Sequence, residues 1–175
     1  MTSLPSAAIG REIRAISLVG FGHFLSHFYM FGLVPLFVAI SADLNVTNLQ
    51  LGAILTAYNV ATGVLQTPMG ILVDKFGARR VLIGGLFVTS TAFAVAGFTS
   101  SYWELLALFF IAGAGNSVFH PADYVILTAS VEKSRQGRAY SMHSFGGSLG
   151  TAAGPAVMVI LMTQTDWRTE LIIAG

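Results

Sequence analysis

The chain has no cysteine among its 175 residues, which excludes disulfides, thiolate metal sites and cysteine nucleophiles. It is also poor in charge. Asp, Glu, Lys and Arg together make up 10% of it, and nine bases against eight acids leave a formal net charge of +1. So even a balance, with no basic patch interleaved with aromatics, excludes a nucleic-acid partner. The arrangements that mark common enzymes are missing too: no serine–histidine–acid spacing, no paired carboxylates and no phosphate-cradling glycine loop. Neither an enzymatic activity nor a cofactor is expected.

What the chain has is apolar length. Hydrophobic residues make up 54% of it and the mean hydropathy is +0.73, beyond the range of a soluble domain with a charged surface. A bilayer-crossing helix needs about 20 mostly apolar residues, and such runs recur with short polar breaks. They cover residues 15–42, 49–73, 81–98, 102–130 and 139–163, and a sixth begins near Leu171. The expected fold class is therefore an all-α polytopic membrane protein, with a short segment 1–14 ahead of a transmembrane bundle over 15–175. The first run is too long for a secretory h-region of about 7–15 residues, which argues against a cleaved signal peptide.

Orientation follows from the bases. Arg11 and Arg14 precede the first run, Lys75, Arg79 and Arg80 separate the second from the third, and Lys133, Arg135 and Arg138 separate the fourth from the fifth. The alternate breaks carry acids and only Arg168. By the positive-inside rule the N-terminus is expected in the cytoplasm of a multi-pass cell-membrane protein, with Trp103 and Trp167 as outer-interface anchors.

Lipid accepts apolar side chains on any face, so small and polar residues gathered on one stripe report helix contact or a water-filled path. In the second run Gly52, Thr56, Asn59, Gly63, Gln66 and Gly70 form such a stripe, which reads first as a packing face and second as a substrate lining. In the fifth, Gly146, Gly150 and Gly154 lie four apart ahead of Pro155, a ridge allowing close backbone approach. In the fourth, Asn116, His120 and Asp123 share a face, and a polar stripe at that depth is a functional-site hypothesis. Asp123 reads either as an interfacial partner of a loop arginine or as a proton-handling group. His23 and His27 sit one turn apart roughly 12–18 Å into the first run, either bonded to neighbouring helices or forming a proton or substrate site. Two histidines without a third ligand do not make a metal site, although other spans could supply one, and no metal is expected. His143 reads as structural or close to a gate.

The break between the second and third runs reads GILVDKFGARR. Between Asp43 and Glu104, its Asp74, Lys75, Arg79 and Arg80 are the only charged residues. This segment, the topology and the glycine ridge resemble the N-terminal half of a major facilitator superfamily transporter. The family's loop signature is matched by Gly70, Leu72, Asp74, Lys75, Gly77, Arg79 and Arg80, and Ala78 stands where a base is usual. Gly150, Gly154 and Pro155 match the antiporter motif of its fifth helix, with Met158 and Val159 in place of a trailing glycine pair. Gly113 and Gly115 fit the fourth-helix pattern of its drug antiporters, but Phe109 stands where they carry arginine. The segment SVFHPAD is similar to the histidine–proline segment of fosmidomycin-resistance-type exporters, as is the histidine-bearing first helix.

The resemblance implies the first six helices of a twelve-helix fold, with the second six absent. It implies a small-molecule substrate moved by alternating access, protons as the coupling ion, and export of drug-like compounds. Import of a small organic acid or other metabolite is the alternative, and a truncated, transport-inactive interaction unit is the alternative of another class. The loop from Gly70 to Arg80 would be a cytoplasmic latch, its bases pairing with an acid such as Asp123.

Overall fold

The computed structural model describes residues 6–175, all of whose regular structure is helical. Eight α-helices follow in order: α1 Ser6–Gly32, α2 Phe37–Leu44, α3 Asn48–Phe76, α4 Ala78–Ala96, α5 Tyr102–Asn116, α6 Phe119–Ser130, α7 Gln136–Met162 and α8 Trp167–Ala174. Two of the expected runs are interrupted. Pro35 lacks an N–H to continue the helical ladder, and the first run passes through a 3₁₀ turn at Val34–Leu36 into α2. The fourth breaks at Ser117 and Val118, leaving α5 and α6 end to end. Pro68 and Pro155, by contrast, lie inside α3 and α7 without ending them.

Local chemistry sets the helix ends. Thr47 accepts from the Gln50 N–H while the Gln50 side chain accepts from Thr47, and Ser101 and Glu104 repeat this reciprocal box at the start of α5. A single residue, Gly77, links α3 to α4. Its φ of 88° lies where a side chain would be strained, which accounts for glycine in the middle of the charged knot.

Four segments are long and apolar enough to cross a membrane by length and composition: Ile9–Leu44, Ala78–Ala96, Tyr102–Ser130 and Lys133–Met162. α3 spans 29 residues but is not one of them, and Thr56, Asn59, Gln66 and Asp74 lie along it.

Lipid is as apolar as leucine, so membrane helices associate by close van der Waals packing rather than by expelling water. α1 and α7 pack in parallel by this route. A Cβ added at Gly146, Gly150 or Gly154 would run into the backbone of Gly20, Phe24 or Phe28 respectively, so the two helices meet at matched four-residue steps. α5 is held the same way between α3 and α4: Gly113 lies on the backbone of Tyr58 and Gly115 on Thr89. The Thr62 hydroxyl donates to the Gly113 carbonyl at 3.0 Å, and that of Thr89 donates to the Ala112 carbonyl at 3.0 Å. The main core, with Tyr29, Leu36, Tyr58, Phe93, Phe109 and Met158 among its members, fills the half of the bundle nearer α8.

Candidate functional site

The chain contains four histidines, and the fold brings all four together. α1 supplies His23 and His27, α6 supplies His120 and α7 supplies His143. His23 is at the centre. Its ring stacks on that of His143 with centroids 3.8 Å apart, meets His27 edge-on at 4.6 Å and lies 5.1 Å from His120. Gly147 makes the room: a Cβ there would stand 2.6 Å from His23 Cδ2 and 3.1 Å from His27 Nε2.

Asp123 completes the cluster. It is wholly buried, its Oδ2 lying 2.9 Å from His143 Nε2 and 3.8 Å from His23 Nδ1. No loop arginine reaches it, so of the two readings of Asp123 the interfacial ion pair is replaced by a buried carboxylate–histidine contact. Asn116, at the end of α5, accepts a 2.6 Å hydrogen bond from the Ser26 hydroxyl of α1. His27 Nδ1 lies 3.0 Å from the Thr151 hydroxyl, which itself donates to the Gly147 carbonyl. His143, expected to be structural or near a gate, is thus the direct partner of the buried acid. The signal was present in its one-turn offset from the glycine ridge, but its acid partner lies 20 residues back on another helix.

The polar stripe of α3 lies elsewhere. Gly52, Gln66 and Gly70 are half-buried, and Thr56, Asn59 and Gly63 are exposed. The Thr56 and Asn59 side chains donate to their own helix at the Gly52 and Leu55 carbonyls. The face that packs inward carries Leu51, Ile54, Tyr58, Ala61 and Val73 instead, and of the stripe's glycines Gly70 alone has a neighbour, Pro121 of α6.

In the knot Asp74, Lys75, Arg79 and Arg80 are all exposed, and the Lys75 ammonium lies 5.3 Å over the Phe76 ring. Among the described residues none of the three bases forms an ion pair. The expected pairing with Asp123 is absent because that carboxylate is enclosed by histidines.

Two clasps unforeseen in the sequence close the ends of the bundle. Arg135 is bidentate on Glu12 at 2.9 and 2.7 Å and also reaches Glu132 at 2.7 Å, tying the α6–α7 connection to α1. At the other end Arg168 pairs with Asp43, donates to the Thr99 carbonyl at 3.0 Å and covers the Trp167 ring at 4.2 Å. Trp167 itself is buried and donates to Asp43, while Trp103 is exposed, so only the second fits an interface anchor.

Comparison with known proteins agrees with this architecture. The chain is 24% identical over 138 residues to the Probable L-galactonate transporter of Escherichia coli, covering 79% of the chain and 30% of that protein. It is 25% identical over 150 residues to the fosmidomycin resistance protein of the same organism, covering 86% and 36%. To the cephamycin export protein of Amycolatopsis lactamdurans it is 29% identical over 160 residues, covering 91% and 33%. The chain thus spans about a third of the length of the curated relatives it matches. Residues 19–175 match the family model of the Major Facilitator Superfamily, and this chain belongs to that superfamily.

Proposed function

We propose that the chain is the N-terminal six-helix half of a secondary transporter that moves a small molecule by alternating access, exporting it in exchange for protons. The observation that carries this reading is the histidine–aspartate cluster. It is a polar assembly held by three helices, with His23, His143 and Asp123 buried, and buried ionisable groups in membrane segments mark transport paths. His23, His27, Asn116, His120 and Asp123 then belong to the substrate path, and His143 joins them. The stripe of α3 is a second wall of that path, or the face that meets the other half, since Thr56, Asn59 and Gly63 along it are exposed. In this reading α3 is a fifth crossing and the N-terminus is cytoplasmic.

α8 runs back along α4, from Gly97 beside Arg168 to Ser90 beside Gly175. Ahead of it lies a groove of about 580 Å³ between α1 and α4, lined by Leu18, Phe21, Leu25, Leu82, Ile83 and Leu86 among others. In this reading a sixth crossing lies against that groove.

Export is favoured by the relatives named for fosmidomycin resistance and cephamycin export, and by Gly150, Gly154 and Pro155 in the antiporter pattern. The relative named as a probable L-galactonate transporter favours an organic-acid substrate, and the second reading is import of such an acid. Proteoliposomes containing the full-length protein separate the two. Under an inward proton gradient, drug-like compounds should leave the lumen with proton counterflow. Organic-acid uptake with co-transported protons would establish the second reading, and no substrate-dependent flux with either panel would overturn both.

A further inference from the structure

We propose that His23, His120 and His143, with Asp123, form a binding site for a divalent transition-metal ion of the zinc, cobalt and nickel type. One ligand nitrogen from each histidine can be chosen so that all three lie within 4.8 Å of one another, although they come from α1, α6 and α7. Asp123 Oδ2 is 2.9 Å from His143 Nε2 and 3.8 Å from His23 Nδ1, adding an anionic oxygen to the set.

The second observation is a group of orphaned atoms. His23 Nδ1, His120 Nδ1 and Asp123 Oδ1 are buried and have no hydrogen-bond partner. His23 is 5% exposed and Asp123 0%. Three of the six such orphaned atoms among the described residues meet here, the others being the Tyr58 hydroxyl and the Glu170 carboxylate, and a buried polar atom left unsatisfied calls for a partner. Three imidazoles and a carboxylate in a chain without cysteine suit zinc, cobalt or nickel rather than a thiolate-bound metal. The carboxylate offsets half of the ion's charge where the surrounding dielectric is low. His27 is outside this set of three, and its Nδ1 is engaged by Thr151 at 3.0 Å.

The cluster must tighten to bind. A tetrahedral ion with bonds of about 2.0–2.1 Å sets its ligand atoms roughly 3.3 Å apart. The stacked rings of His23 and His143 present nearly parallel planes, 20° apart, so one of them has to turn about its side-chain torsions for both lone pairs to converge. His120 is half-buried and so less tightly enclosed than His23 and His143. Bound metal would replace the His143–Asp123 hydrogen bond and staple α1, α6 and α7 together.

The inference is independent of the transport reading, because its readout is binding. The full-length protein in detergent is titrated with Co²⁺, followed by its visible ligand-field bands, and then with Zn²⁺ as competitor. One ion per chain should bind with the intense absorption of a four-coordinate site. His120→Gln and Asp123→Asn should each weaken binding about tenfold or more, and Ser141→Ala, an exposed position whose hydroxyl bonds its own helix, should leave it unchanged. His120 is half-buried, so His120→Gln with the wild-type elution profile decides the matter even where Asp123→Asn fails to fold. No saturable binding, or binding of wild-type strength in His120→Gln, overturns the proposal.

Discussion

Gly147 is the residue on which the packing of the histidines depends. Its missing side chain is the space that His23 and His27 occupy, and neither ring can retreat freely, since His23 is sandwiched against His143 and His27 is held by Thr151. Gly147→Ala should therefore lower the thermal midpoint of the protein, with an overpacking cost of about 1–3 kcal/mol, whereas alanine inside a helix would otherwise help. A thermal unfolding scan showing an unchanged or higher midpoint would mean the rings move aside.

Asp166 works at the same scale, outside the spans. Its carboxylate accepts from the Thr169 N–H at 2.9 Å and the Thr169 hydroxyl at 3.3 Å, capping α8, and these bonds hold its pKa below the usual aspartate value. A depressed folded pKa stabilises above the unfolded value and ceases to do so as pH falls through the lowered one. Amide exchange in the first turn of α8, corrected for intrinsic rate, should be slow at neutral pH and accelerate in acid. In Asp166→Ala it should be fast throughout, and identical exchange in the two proteins would exclude a capping role.

At the scale of elements, the connection from α3 to α4 joins two long helices through one residue, and it is the place where a charge change should act without disturbing the bundle. Asp74 is exposed and makes no ion pair among the described residues, so removing its charge should leave folding intact. If the knot is a latch against the facing half of the transporter, Asp74→Asn should reduce transport at least tenfold with normal membrane insertion. Transport at the wild-type rate would reduce the knot to a topogenic loop. The α1–α7 pair is the opposite kind of element, closely packed by glycine against backbone at Gly146, Gly150 and Gly154. The glycine ridge was legible in the sequence because a four-residue spacing maps directly onto one helical face. Its partner was not, since nothing in the spacing says that Gly20, Phe24 and Phe28 are the residues it meets.

For the whole molecule, the absence of cysteine is an experimental advantage. Single cysteines placed at Ser100, before α5, and at Ser134, between α6 and α7, should lie on opposite sides of the membrane. A membrane-impermeant maleimide should label Ser100→Cys in intact cells and Ser134→Cys only after the membrane is opened. Labelling of both, or the reverse pattern, would overturn the proposed cytoplasmic N-terminus.

The sequence by itself determined the class of molecule, the approximate extent of most of its helices and the side on which each charged loop is expected. These depend on composition, run length and one-face periodicity, all local quantities. It also marked His23, His27, Asn116, His120 and Asp123 as chemically expensive to bury. Only the tertiary structure decided which of them meet. It placed His143 on Asp123, kept the loop bases away from that carboxylate and left Thr56, Asn59 and Gly63 of the α3 stripe exposed. It also buried Trp167 under Arg168 and paired Glu12 with Arg135 across 123 positions. Each of these is a contact between helices, and a contact between helices depends on rotation and register, which one helix's own pattern does not contain.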